Sequence, residues 1–94
     1  MRKLDLTPRF RRAFRRFAAR NPRLQEQIEA TLRRMEQNVF AADLGTHKLS
    51  GDLLGLRACS CGYDCRILFS LEKDAQTGGE VIVLLCVGTH DEIY

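Results

Sequence analysis

The order of elements along this chain predicts an α+β fold, with a two-helix hairpin packed on a mostly antiparallel sheet. Three observations carry that prediction. Apolar residues recur at helical spacing through the first forty residues. Three strand-like runs fill the second half. A short alternating run precedes the first helix, which gives the order β-α-α-β-β-β.

Residues 2–6, RKLDL, set Arg2, Leu4 and Leu6 against Lys3 and Asp5 and read as a short strand. Thr7 then supplies an N-cap and Pro8 a first helical position. Phe10, Phe14, Phe17 and Ala18 form the apolar stripe of a helix over 8–20, with arginines between them. Asn21-Pro22 repeats the cap-and-proline signal, and Leu24, Ile28, Leu32 and Met35 mark a second helix over 22–38. So short a break makes the two helices a hairpin, with both stripes toward one sheet. Residues 39–55 hold three glycines without periodicity and read as a loop that carries His47 and Lys48 to the sheet.

Residues 55–61 form the next expected strand, with Leu56, Ala58 and Ser60 on one face and Arg57, Cys59 and Cys61 on the other. Gly62 marks a turn. In 65–72, Cys65, Ile67, Phe69 and Leu71 face the core while Arg66, Leu68, Ser70 and Glu72 face away. On this reading Arg57 and Arg66 share the face opposite the helices, and Asp64 joins them. Residues 80–87 are nearly all apolar and are expected to be central and covered on both faces. GTHDEIY closes the chain as a polar tail.

Ninety-four residues bound the chain to one domain, 1–94, so a site must be a surface cleft. The longest apolar run, 81–87, is far short of the roughly 20 residues a membrane helix needs. The basic N-terminus has no apolar signal region, which makes the cytoplasm the expected location. The net charge of +3 is unevenly spread. Residues 1–34 carry eleven Arg or Lys against Asp5, Glu26 and Glu29, a net +8, and the remainder carries −5. Arg11, Arg12, Arg15 and Arg16 on the first helix are candidates for binding a polyanion such as RNA, or an acidic protein segment. A solvated helix face is the plainer alternative.

Four cysteines raise the question of disulfides or zinc. Cys59, Cys61 and Cys65 crowd one hairpin, and Cys86 lies in an apolar strand. The spacing does not form paired zinc knuckles. Reduced thiols and no bound metal are expected.

The chain has only two histidines, His47 and His90, and they bracket the sheet. Together with Arg57, Asp64, Arg66 and Tyr94 they form the parts of a metal-free RNA-cleaving site. One base takes the ribose 2′-hydroxyl proton, an arginine stabilises the phosphoryl charge, and an acid protonates the leaving 5′-oxygen. Imidazole suits both proton roles because it titrates near neutral pH. Each residue also has an ordinary structural use, so the constellation matters more than any member.

At these residues the sequence resembles the RelE/ParE superfamily of bacterial type II toxins. The run HKLSGDLLGLRACSCGYDCRILFSL and the later VLLCVGTHDEIY carry the similarity, closest to the RelE and YafQ branches. The resemblance implies a ribosome-dependent mRNA endonuclease that needs no cofactor or metal. It implies cleavage in the ribosomal A site, hence contact with mRNA and 16S rRNA, inhibition of translation, and a cognate antitoxin. By position it implies catalytic roles for His47, Asp64, Arg66, His90 and Tyr94, and RNA contacts for Lys48 and Arg57. Ser60 stands where YafQ-like proteins carry another histidine, and Cys65 replaces an aromatic. A ParE-like toxin that acts on DNA gyrase without nuclease activity is the alternative within the same fold, and a small zinc-binding module is a third reading.

Overall fold

The computed structural model describes all residues from Met1 to Tyr94. Strand β1 covers Lys3–Leu6, helix α1 Pro8–Phe17 and helix α2 Pro22–Asn38. A two-residue strand, β2, covers His47–Lys48, followed by β3 (Arg57–Gly62), β4 (Cys65–Lys73), β5 (Glu80–Gly88) and a final short helix, α3 (His90–Ile93). The five strands form one sheet in the order β1-β5-β4-β3-β2. Its hairpins are antiparallel, but β1 runs parallel to β5, from Lys3 opposite Val81 to Leu6 opposite Leu84. The α+β class and the order of the long elements match the sequence reading.

The helix starts form as their sequences dictate. The Thr7 hydroxyl accepts the Phe10 N–H at 3.2 Å and donates to the Leu84 carbonyl at 2.6 Å, so it caps α1 and ties it to β5. Asn21 Oδ1 accepts the Leu24 N–H at 3.1 Å and caps α2. Helix α1 stops at Phe17, earlier than its apolar spacing suggests. The Ala18 N–H still bonds to Phe14, and Arg20 turns into the left-handed region at φ 57° before the next cap.

The helices cover one face of the sheet. Phe10, Ile28, Met35, Ile67, Phe69, Ile82 and Leu84 are fully buried there. The other face is thinner. Ala58, Leu68 and Ile93 are buried outside that cluster, while Val81, Val83 and Leu85 of β5 are only half-buried. Strand β5 is therefore flanked by strands on both sides, but it is fully covered on one face only.

Two sequence expectations fail at β3. Its residues alternate as expected, but the faces are exchanged. Cys59 lies opposite Ile67 and Arg57 opposite Phe69, so both point to the helix side, while Ser60 lies opposite Arg66 on the far face. A bulge then places Gly62, not Cys61, opposite Cys65. Cys61 turns inward there, and Cys61 and Cys65 form a disulfide across a Cα separation of 5.0 Å. The expected four reduced thiols are thus two, Cys59 and Cys86. Gly62 has φ 133°, a backbone conformation in which any larger residue is strained, and a Cβ there would also push aside the Gln27 side chain of α2.

Residues 39–55 contain more order than a plain loop. Short helical turns at Ala42–Leu44 and Gly51–Leu53 bracket β2. Removal of the fully buried Phe10 ring in Phe10→Ala is expected to lower unfolding stability by about 3–5 kcal/mol. Arg12→Ala, on the exposed side of α1, should stay within about 0.5 kcal/mol. Urea denaturation of the two variants checks the difference.

Candidate active site

Three separate elements bring polar groups to the end of the sheet where β5 runs out. Strand β2 presents His47 and Lys48, with His47 opposite Ala58 of β3. Arg66 enters near the start of β4, opposite Gly88. Helix α3 begins immediately after β5 and supplies His90, with Tyr94 as its C-cap. Together they line an open cleft of about 730 Å³. Residues Leu49, Ser50, Asp52 and Leu53 complete its wall. The sequence reading passed over that wall as irregular loop. Its one signal was the polar Ser-Gly-Asp run beside His47.

Tyr94 stands between the two imidazoles. Its ring centre lies 4.5 Å from that of His90 and 5.8 Å from that of His47. The Tyr94 hydroxyl is 3.2 Å from His47 Nε2, and His47 Nδ1 is 3.0 Å from the Gly45 carbonyl. A carbonyl can only accept, so Nδ1 carries a proton, and in the neutral ring Nε2 presents its lone pair, to which the phenol donates. Burial pushes the Tyr94 phenol above its ordinary value, and the nearby Arg66 guanidinium pulls it partly back. Tyr94 therefore remains a protonated donor at neutral pH.

Arg66 is held from behind. Its Nη1 donates to the Cys65 carbonyl at 2.8 Å and the Gly62 carbonyl at 3.0 Å, with the Ser60 hydroxyl at 3.5 Å. The guanidinium is thereby fixed at the cleft wall with its charge uncompensated by any carboxylate ion pair. His90 Nδ1 lies 3.5 Å from Asp91 Oδ1.

Helix α3 has a complete cap. The Thr89 hydroxyl accepts the Glu92 N–H at 3.3 Å, and Glu92 Oε1 accepts the Thr89 N–H at 2.9 Å. A Cβ on the buried Gly88 would come within 2.9 Å of the same Glu92 oxygen, so glycine leaves room for the cap. Asp64 does not line the cleft. It sits in the β3–β4 turn at φ 48°, and its Oδ1 accepts the His90 backbone N–H at 3.0 Å.

Other expected residues lie elsewhere. Arg57 does not share a face with Arg66. It points to the helix side, where its guanidinium lies 5.6 Å from the centre of the Phe40 ring, and Arg2 lies 5.4 Å from the same ring. Arg11, Arg12, Arg15 and Arg16 are exposed on α1, outside the cleft, and form no ion pair.

Cys59 is not placed to react. Cys59 is fully buried with its Sγ 3.8 Å from Met35 Sδ, and burial pushes its thiol up to about 12 against the pull of Arg66. No three His, Cys, Asp or Glu side chains converge to hold a metal ion, and no helix is long and apolar enough to cross a membrane.

Solved structures with this arrangement of elements include toxins. YafQ from Escherichia coli aligns over 100% of this chain and 99% of its own, with a TM-score of 0.77 and 14% identity. The chain shares its fold. A YoeB/ParE toxin from Agrobacterium tumefaciens covers 94% of this chain and 98% of its own, with a TM-score of 0.75 and 18% identity. YafQ in its toxin–antitoxin complex with DinJ, also from Escherichia coli, aligns over 99% of this chain and 97% of its own, at a TM-score of 0.70 and 15% identity. No family model matches the sequence, and no curated protein matches it.

The Glu92 cap makes α3 pH-sensitive. Hydrogen bonds from the Thr89 backbone, then its hydroxyl, hold the Glu92 carboxyl below its ordinary value. A depressed carboxylate stabilises the fold above its unfolded pKa, and that contribution disappears as pH falls through the folded value. The Thr89 amide resonance should therefore move with acidification in that range. In Glu92→Gln, which keeps an acceptor but cannot titrate, the movement should be absent.

Proposed function

We propose that this protein is the toxin of a type II toxin–antitoxin pair, a metal-independent endoribonuclease that cuts mRNA in the ribosomal A site and so arrests translation in the cytoplasm. The observation that carries the reading is the cleft in which His47, Arg66, His90 and Tyr94 converge, with His47 Nε2 facing inward as an acceptor. The fold shared with YoeB and YafQ toxins supports it. YafQ in complex with DinJ supports a cognate antitoxin as partner.

In this mechanism His47 Nε2 takes the proton of the ribose 2′-hydroxyl. The 2′-oxygen attacks the adjacent phosphorus, and the bond to the 5′-oxygen breaks. Arg66 stabilises the charge that builds on the non-bridging oxygens. His90 gives a proton to the leaving 5′-oxygen, which yields a cyclic phosphate and a free 5′-hydroxyl. Tyr94 stacks beside both imidazoles and donates to the His47 acceptor until substrate replaces it. Side chains alone supply base, acid and counter-charge. Lys48 at the rim and the arginines of α1 add phosphate and 16S rRNA contacts.

Primer extension on a reporter mRNA after brief induction tests the reading. Wild type should produce cuts inside the translated region, and His90→Ala should reduce them by about 10²- to 10⁴-fold, the range of one proton-transfer group. Growth arrest without cuts from either protein would overturn the nuclease assignment in favour of a gyrase-directed toxin. RNA association should also weaken steeply as salt rises, because phosphate contacts release counterions. Arg12→Ala/Arg16→Ala should flatten that slope in a filter-binding titration.

A further inference from the structure

We propose that Asp64 is a positioning residue for His90, acting through the backbone and not through proton transfer; this rests on the nuclease reading of the cleft. Asp64 lies at the turn between β3 and β4, 26 residues before His90 in sequence. Its carboxylate is directed at the His90 main-chain N–H, not at either imidazole or into the cleft.

The accounting of hydrogen bonds at α3 explains why this contact matters. Helix α3 has four residues, too few to hold itself by propensity. Its capping box serves the Glu92 and Thr89 N–H groups. The His90 N–H, at the first helical position, has no partner within the helix. Asp64 supplies the missing acceptor, and a charged one facing the positive end of the helix. It is a tether between the end of α3 that carries the imidazole and a different part of the sheet.

The same turn also holds Arg66. The carbonyls of Gly62 and Cys65 take its Nη1, and the Cys61–Cys65 disulfide closes the turn between them. One hairpin tip therefore sets two groups of the site: the guanidinium by its carbonyls and His90 by the Asp64 side chain. The backbone of Asp64 fits this use. Its φ of 48° is in the left-handed region, where Asp and Asn are tolerated far better than most residues.

Two substitutions separate positioning from chemistry. Asp64→Gly removes the acceptor without straining the turn, and Asp64→Asn keeps an oxygen acceptor without the carboxylate. In a purified ribosome–mRNA assay, Asp64→Gly should lower kcat by roughly tenfold or more, the scale of one lost hydrogen bond to a charged group, with little change in KM. Asp64→Asn should restore most of that loss and leave the pH profile of cleavage unaltered. Amide exchange at His90 should be slow in wild type and Asp64→Asn and fast in Asp64→Gly. An Asp64→Asn protein as inactive as Asp64→Gly, yet with the His90 amide still protected, would overturn the proposal and put the carboxylate in the chemistry. Full activity in Asp64→Gly would overturn it as well. A wild type that cuts no RNA would defeat the nuclease reading separately, while His90 exchange in the same three proteins would still decide the tether.

Discussion

Strand β5 is hydrogen-bonded on both sides, parallel to β1 and antiparallel to β4, and the rest of the molecule is arranged from it. The Thr7 hydroxyl locks α1 onto the Leu84 carbonyl, so the helix layer takes its position from the same strand. Where β5 ends, at Gly88, it lies opposite Arg66 and turns at once into α3. The register of one strand pair thus brings the guanidinium and the His90 imidazole to the same edge. The β3–β4 hairpin extends the sheet by two more strands and delivers His47 through β2.

The cleft and the densest positive charge occupy different surfaces. In the cleft the Arg66 guanidinium is held by backbone carbonyls, and the His47 ring is oriented by the Gly45 carbonyl. The arginines of α1 are exposed and without ion-pair partners. Fixed groups suit charge stabilisation, which depends on preorganisation. Exposed surface cations suit association with a polyanion, which depends on counterion release and tolerates imprecise geometry.

Much of this was legible in the sequence because it depends on local rules. Thr7-Pro8 and Asn21-Pro22 start helices as caps do everywhere, and Ile28, Leu32 and Met35 form the buried stripe that their spacing implies. The gathering of His47, Arg66, His90 and Tyr94 was also legible, since each sits at the end of a recognisable run. The face of β3 was not. Alternation fixes which residues share a side but not which side meets the core, and a strand that buries Ala58 outward and Cys59 inward is apolar on both. That ambiguity carried Arg57 to the wrong face and hid the inward turn of Cys61 at the bulge. The parallel pairing of β1 and the small helix α3 depend on long-range contacts, Leu84 for one and Asp64 for the other, which no short window of sequence contains.

The hydrogen bond from Tyr94 to His47 has a consequence for the resting protein. The lone pair that would accept a ribose proton is already satisfied by a phenol that burial keeps protonated. An incoming 2′-hydroxyl is a donor of the same kind, so it exchanges one O–H···N bond for another at little net cost. On the proposed reading, that exchange is open only to a ligand that brings its own hydroxyl donor to His47.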